Sequence, residues 1–211
     1  MDFDKKNILI LAPHTDDGEL GAGGTIHRFI QEGRTVHYVA FSTAEESVPD
    51  GFPSNILSEE VTRATSSLGI PKSNLIIHGF TVRKLNFVRQ EILEILVKLK
   101  KDINPDLVFL PSLNDIHQDH TTIAQEGLRA FKDTSILGYE LLWNNLKFDT
   151  TCFIKLSEIN VEAKYRALQE YQSQAHRDYM SKEFIYSHAI TRGVQARDKY
   201  AEAFEVIRWI I

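Results

Sequence analysis

Residues 7–33, "NILILAPHTDDGELGAGGTIHRFIQEG", decide the fold. An unbroken aliphatic run over 8–12 stops at Pro13. Such a run reads as a strand buried on both faces, the kind found in parallel sheets. A glycine-rich helix start follows, and the helix closes near Gly33. Between the two lie His14, Asp16 and Asp17, one imidazole and two adjacent carboxylates at the point where the strand ends. Neighbouring carboxylates repel unless positive charge is close. Helix N-capping explains such residues, and so does a metal ion; the rest of the chain has to decide.

The strand-then-helix pattern recurs. "VHYVAFST" (36–43) reads as a strand, and 45–56 as a polar loop. "SEEVTRATSSLGI" (58–70) reads as a helix with Val61, Ala64, Thr65 and Leu68 on one face and Gly69 past its end. "NLIIHG" (74–79) is a short strand. Residues 87–105 form the clearest helix, with the stripe Val88, Ile92, Leu96, Leu99 and Pro105 beyond it. "DLVFLPS" (106–112) is a second buried strand; the polar loop "LNDIHQDH" (113–120) leads into a helix over 121–132. Strands are expected at 136–143 and 151–157 and a helix at 160–174, while the last forty residues show no clear period. The alternation predicts one α/β domain over 1–211 with a mostly parallel sheet. In such sheets ligands sit beyond the carboxyl ends of the strands. "PHTDD" and "HQDH" both lie there, so two segments about a hundred residues apart meet at one rim.

Composition narrows the function. The 211 residues are 43% hydrophobic and 25% charged, with a formal net charge of −5. That is an ordinary globular balance with no basic surface for nucleic acid. The single cysteine, Cys152, excludes an internal disulfide framework and a Cys-rich zinc site, and fits a reducing compartment. The N-terminal apolar run is too short to span a bilayer and lacks a cleavage-site pattern. A cytoplasmic protein without an integral membrane segment is expected.

His14 and Asp17 are three residues apart, as are His117 and His120. Catalytic zinc takes three ligands from His and carboxylate and keeps one position for water. A two-His, one-carboxylate set is available here and leaves Asp16 over, and a carboxylate beside metal-bound water is a natural general base. Gly21, Gly23 and Gly24 do not complete a dinucleotide fingerprint, because residue 26 is Ile. They either let the helix pack closely on the sheet or let substrate approach the backbone.

The order "PHTDDGELGAGGTI", "SLGI", "DLVFLPSLNDIHQDH" resembles the PIG-L or LmbE-like zinc-dependent N-deacetylases over at least residues 7–130. The resemblance implies a single Rossmann-like three-layer domain and one Zn2+ held by His14, Asp17 and His120. It implies Asp16 as general base, His117 as the residue that stabilises the oxyanion, and Asp119 as a carboxylate orienting or tuning a neighbouring imidazole. The implied reaction removes an acetyl group from an N-acetylated amino-sugar conjugate and releases acetate. It wants Asp16 ionised and His117 protonated, with Asp119 holding the His117 pKa up. The chain departs from the family at Thr15, where proline is usual, at Gly18, where glutamate is usual, and at Leu57, where mycothiol-type members carry a substrate-holding arginine. Arg83, Asp115 and Arg177 are the candidate substrate contacts. Tyr171, Gln174, Arg192 and Glu202 either line the cleft with Arg177 or form a polar cap, and His27, His37, His78, His176 and His188 are read as non-ligands. The implied partner is a small amino-sugar conjugate, and the resemblance leaves a homo-oligomer open. The rival readings are a zinc amidase on a non-sugar conjugate and a non-catalytic module binding a sugar phosphate or nucleotide.

Overall fold

Alternating side chains of the first strand divide between two cores. In the computed structural model, which describes residues 5–211, strand β1 (Asn7–His14) sends Ile8, Ile10 and Ala12 to one face and Leu9 and Leu11 to the other. The first face is covered by α1 (Asp17–Gln31), α2 (Ile56–Ser67), α5 (Glu158–Gln169) and α6 (Lys182–Gln195). The second is covered by α3 (Arg89–Ile103) and α4 (Gln118–Ala130). Strands β2 (Thr35–Ser42) and β4 (Leu107–Pro111) flank β1 and repeat its two-sided burial, with Tyr38 and Phe109 on the first face and Phe41 and Leu110 on the second.

The remaining strands are β3 (Leu75–Ile77), β5 (Ser135–Tyr139), β6 (Cys152–Leu156) and β7 (Tyr200–Arg208), and the sheet order is β3-β2-β1-β4-β5-β7-β6. Strands β1 to β5 are parallel; β7 runs antiparallel to both β5 and β6. The chain leaves β1 toward β2 and β3, then returns to the other side of β1 as β4. This order is doubly wound, and the crevice at its switch point lies beyond the carboxyl ends of β1 and β4. His14 and the loop after β4 both sit there.

Helix α1 is broken at Ala22 (φ −145°, ψ 15°). A break leaves amides and carbonyls without helical partners. Here a buried ion pair takes them up. Glu202 accepts from the backbone N–H of Gly24 (3.1 Å) and Thr25 (2.7 Å), and Lys164 donates to Leu20 O (2.7 Å) and to Glu202 itself (2.7 Å). Glu202 is therefore part of the framework and does not meet the cleft.

Several boundaries differ from the sequence reading. Helix α4 starts at Gln118, so "HQDH" occupies a cap and first turn and not a loop. Strand β5 ends at Tyr139, and Leu142 and Trp143 turn out to a partly exposed rim. Helix α5 is set by a capping box between Ser157 and Asn160 and ends at Gln169, before a short turn at Gln172–Gln174. Strand β7 escaped detection because Glu202 and Glu205, both buried, interrupt its apolar run. Residues 1–4 of the expected 1–211 domain lie outside the described residues.

The glycines of α1 serve close packing. A Cβ built on Gly21 comes within 2.6 Å of Cγ, and closer still to Cδ2, of Tyr139, which is fully buried and donates its hydroxyl to Leu11 O (3.0 Å). Because that ring cannot swing away, Gly21→Ala is expected to destabilise the fold by about 1–3 kcal/mol. A lower urea midpoint with an unchanged slope is the result to look for.

Candidate metal centre and active site

Two loops bring the polar residues together. On the β1 side, His14 ends the strand and Asp17 opens α1; the Asp17 carboxylate accepts the His14 backbone N–H (2.8 Å). Asp16 occupies the N-cap position of α1, yet its side chain makes no capping bond. The capping explanation for the carboxylate pair therefore fails at both residues. On the β4 side, Asp115 accepts the backbone N–H of His117 (2.8 Å) and bridges to Asn145, which shapes the turn before α4. His117 then caps α4, its Nδ1 accepting the Asp119 N–H (3.2 Å), and His120 follows on the first turn.

Three atoms converge. His14 Nδ1 lies 3.1 Å from Asp17 Oδ2; His120 Nε2 lies 3.2 Å from Asp17 Oδ2 and 3.2 Å from His14 Nδ1. A tetrahedral zinc with bonds of about 2.0–2.1 Å separates its ligand atoms by about 3.3–3.4 Å, so the triangle fits such an ion with little adjustment. The outward nitrogens are also held. His14 Nε2 meets Asp119 Oδ2 at 3.0 Å, and His120 Nδ1 meets Asp115 Oδ2 at 2.8 Å. Carboxylates behind imidazoles fix the tautomer and the ring orientation that a metal requires. His117 belongs to the same cluster: His14, His117 and His120 each offer a ligand atom within 4.8 Å of the others.

The charges reinforce the geometry. Burial works against the ionised form of Asp17, but the facing imidazoles of His120 and His14 hold its carboxyl well below the usual range. Burial likewise opposes protonation of His14 and His120, yet Asp17, helped by Asp119 and Asp115 respectively, raises their pKa values to about 9 and about 10. The centre thus demands positive charge, as protons or as a cation. Asp16 is pushed up to about 6 by burial and by the Asp17 charge, with His14 and Arg177 pulling the other way.

The cleft above the centre encloses about 340 Å³. Its lining includes Leu57, Val82, Arg83, Trp143, Gln174, Arg177 and Tyr179. Some expectations are revised. Asp115 does not reach the cleft, because both its oxygens are engaged by His117 N–H and His120. Asp119 does not face the His117 ring; its carboxylate serves His14 and the backbone N–H groups of Arg83 and Leu85. His117 is accordingly held down, to about 4, by burial and by the charges of His120 and His14, and its Nδ1 already accepts a bond. A neutral ring that accepts at Nδ1 carries its proton on Nε2. Tyr171 is buried and donates to Thr15 O (2.7 Å), and Arg192 clasps Glu140. Sequence reasoning missed Glu19. It lies fully buried beside Thr15, hydrogen-bonded by Tyr38 and Tyr171, and burial pushes its pKa up to about 8. Trp143, Asn144 and Tyr179 of the cleft were missed too.

A triangle of donor atoms at the switch point of a doubly wound sheet, with an uncommitted carboxylate next to it, has the donor set that suits a divalent cation and a base beside it. The chain belongs to the PIG-L family: the family model described as GlcNAc-PI de-N-acetylase matches residues 9–131. Its relatives are named deacetylases, hydrolases of amide bonds, and the chain is an enzyme of that kind. The diacetylchitobiose deacetylase of Thermococcus kodakarensis is 24% identical over 97% of this chain and 84% of its own length. The conserved protein TT1542 from Thermus thermophilus superposes with a TM-score of 0.83 at 25% identity, covering 97% of this chain and 96% of that one. GalB, the 4-carboxy-2-hydroxymuconate hydratase of Pseudomonas putida KT2440, superposes with a TM-score of 0.77 at 19% identity, covering 98% of both chains. Fold alone therefore does not select the reaction. No helix among the described residues is long and apolar enough to cross a membrane.

Metal must displace protons from His14 and His120, whose pKa values are raised. Affinity for a divalent ion should therefore climb between pH 6 and 8, by roughly tenfold per pH unit for each proton displaced. Competition titrations with a chelator measure this, and a flat profile excludes the two imidazoles as ligands. Asp115→Ala should weaken binding by about ten- to a hundredfold.

Proposed function

We propose that this protein is a zinc-dependent N-deacetylase that hydrolyses the acetamide of an N-acetylated amino sugar or its conjugate and releases acetate. His14, Asp17 and His120 hold the zinc, and residues 1–211 act as one catalytic domain. The carrying observation is Asp16, which stands next to the ligand triangle, lines the cleft and is spent on no cap. Bound zinc supplies Lewis-acid polarisation of the amide carbonyl and lowers the pKa of water at the site.

The chain's own residues do the rest. Asp16 takes the proton of the attacking water as its oxygen bonds to the carbonyl carbon. His117 Nε2–H donates to the oxyanion that forms, and its Nδ1 bond to the α4 backbone keeps that proton on Nε2. Asp16 then passes its proton to the amine nitrogen as the C–N bond breaks. A neutral His117 suits this role, since a hydrogen-bond donor needs no net charge to stabilise the oxyanion.

Acetate release from free, phosphorylated and nucleotide-linked N-acetylhexosamines by zinc-loaded protein tests the reading; a zinc-loaded, folded enzyme inert on all amino sugars but active on other acetamides points to the non-sugar amidase. Asp16→Asn should keep zinc and lose roughly 10²- to 10⁴-fold in kcat. In the wild type, kcat/KM should fall on the acid side as Asp16 takes up its proton. That limb should lie at or below about 6, because bound zinc stabilises the carboxylate. His117→Ala should lower the rate and keep both zinc and the alkaline limb, which a neutral imidazole does not create. Loss of zinc in His117→Ala with retention in His120→Ala would exchange the roles of these two histidines.

A further inference from the structure

Helix α2 carries Glu60 and Ala64 at four-residue spacing, continued by Leu68 at its C-cap and followed by Gly69. Ala64 and Leu68 are core residues. Glu60 is not accounted for by the metal centre. It is fully buried, and among the described residues it pairs with no cation. A buried carboxylate is costly unless it is hydrogen-bonded. Its two oxygens accept from Ser173, one from the backbone N–H (2.9 Å) and one from the hydroxyl (2.6 Å).

The direction of each further bond follows. Ser173 has given its hydroxyl proton to Glu60, so its oxygen only accepts from Gln174 Nε2 (3.1 Å). That turns the carbonyl end of Gln174, itself buried, toward Arg177, whose Nε it accepts at 2.8 Å. The Arg177 guanidinium lies 5.7 Å over the ring of Tyr179, and Tyr179 stacks on Trp143 at 4.0 Å and 9°. Among the described residues no carboxylate forms an ion pair with Arg177. Arg83, by contrast, is exposed and has Glu46 at 3.8 Å.

We propose that Glu60, Ser173 and Gln174 form a positioning relay that fixes the Arg177 guanidinium over the cleft, and that Arg177 receives an oxyanion of the substrate, a carboxylate or a phosphate remote from the acetamide. The fork of an arginine held at Nε suits such a group. Only the placing of the oxyanion in a substrate, remote from its acetamide, rests on the deacetylase reading; the relay and the anion contact do not.

Two measurements test it. The first is the Arg177 Nε–H resonance in nitrogen–proton correlation spectra, assigned by its loss in Arg177→Lys. It should be sharp in the wild type and broadened in Glu60→Gln, where the amide donates to the Ser173 oxygen and the freed hydroxyl proton draws the Gln174 carbonyl away from Arg177. It should broaden in Gln174→Met. An unchanged signal in Gln174→Met overturns the relay, whatever the enzyme's substrate. The second is steady-state kinetics with N-acetylglucosamine, N-acetylglucosamine 6-phosphate and N-acetylmuramic acid. At least one anionic probe should show a lower KM than N-acetylglucosamine, and the two distinguish phosphate from carboxylate. For that probe, Gln174→Met and Arg177→Ala should each raise KM by roughly tenfold, the scale of a charge-assisted hydrogen bond, with kcat within about twofold. The double variant should be no worse than Arg177→Ala, since the residues act in series. Additive effects overturn the relay. Equal KM for neutral and anionic probes overturns the oxyanion contact, as does a loss confined to kcat in Arg177→Ala, which would make Arg177 a counter-charge for Asp16. A wild type that binds the anionic probes by calorimetry but releases no acetate from any sugar sinks the deacetylase reading and leaves the contact standing.

Discussion

Asp17 is a buried carboxylate facing two imidazoles, and the rest of the structure is arranged around keeping it ionised there. An isolated carboxylate at that depth would protonate. His14 and His120 prevent this, and in doing so they create a centre whose charge is completed only by protons or a cation. The two imidazoles belong to segments 106 residues apart, joined only because β1 and β4 are neighbours in the sheet.

The support extends outward in carboxylates. Asp119 and Asp115 fix the far nitrogens of His14 and His120, and each is anchored in turn by backbone N–H groups. Glu19 with Tyr38 and Tyr171 holds the carbonyl of Thr15, and so the turn between His14 and Asp16. All three of these acids are buried, and Asp119, whose carboxyl is held low against the penalty of burial by His14 and by the backbone N–H of Arg83, stays ionised there, whereas burial pushes Glu19 toward its neutral form.

What could be read in advance follows from the range of the forces involved. The aliphatic run of β1 and the stripe of α3 are local patterns, and both elements formed where periodicity put them. "PHTDD" and "HQDH" were legible as a pair because each follows a strand in a parallel sheet. That Asp119 would orient an imidazole came with the family resemblance, but that the imidazole is His14, and that Asp115 serves His120, was not legible, since spacing cannot say which imidazole a carboxylate will face. The same holds for His117: its protonation depends on whether the side chain or the backbone of Asp119 meets Nδ1. Strand β7 was hidden because buried glutamates look like surface residues until their distant partners, Gly24 and Thr25 for Glu202, are known.

The break in α1 gives the molecule an order of assembly. The short first segment of that helix carries Asp17, and its far end is satisfied by Lys164 and Glu202. Glu202 lies 177 residues beyond Thr25 in the chain. During synthesis His14, Asp17 and His120 all emerge before β7, the strand that secures the Asp17 helix. A nascent chain therefore holds His14, Asp17 and His120 before it has the frame that aims Asp17, and the triangle of these three side chains is secured only when β7 has joined the sheet.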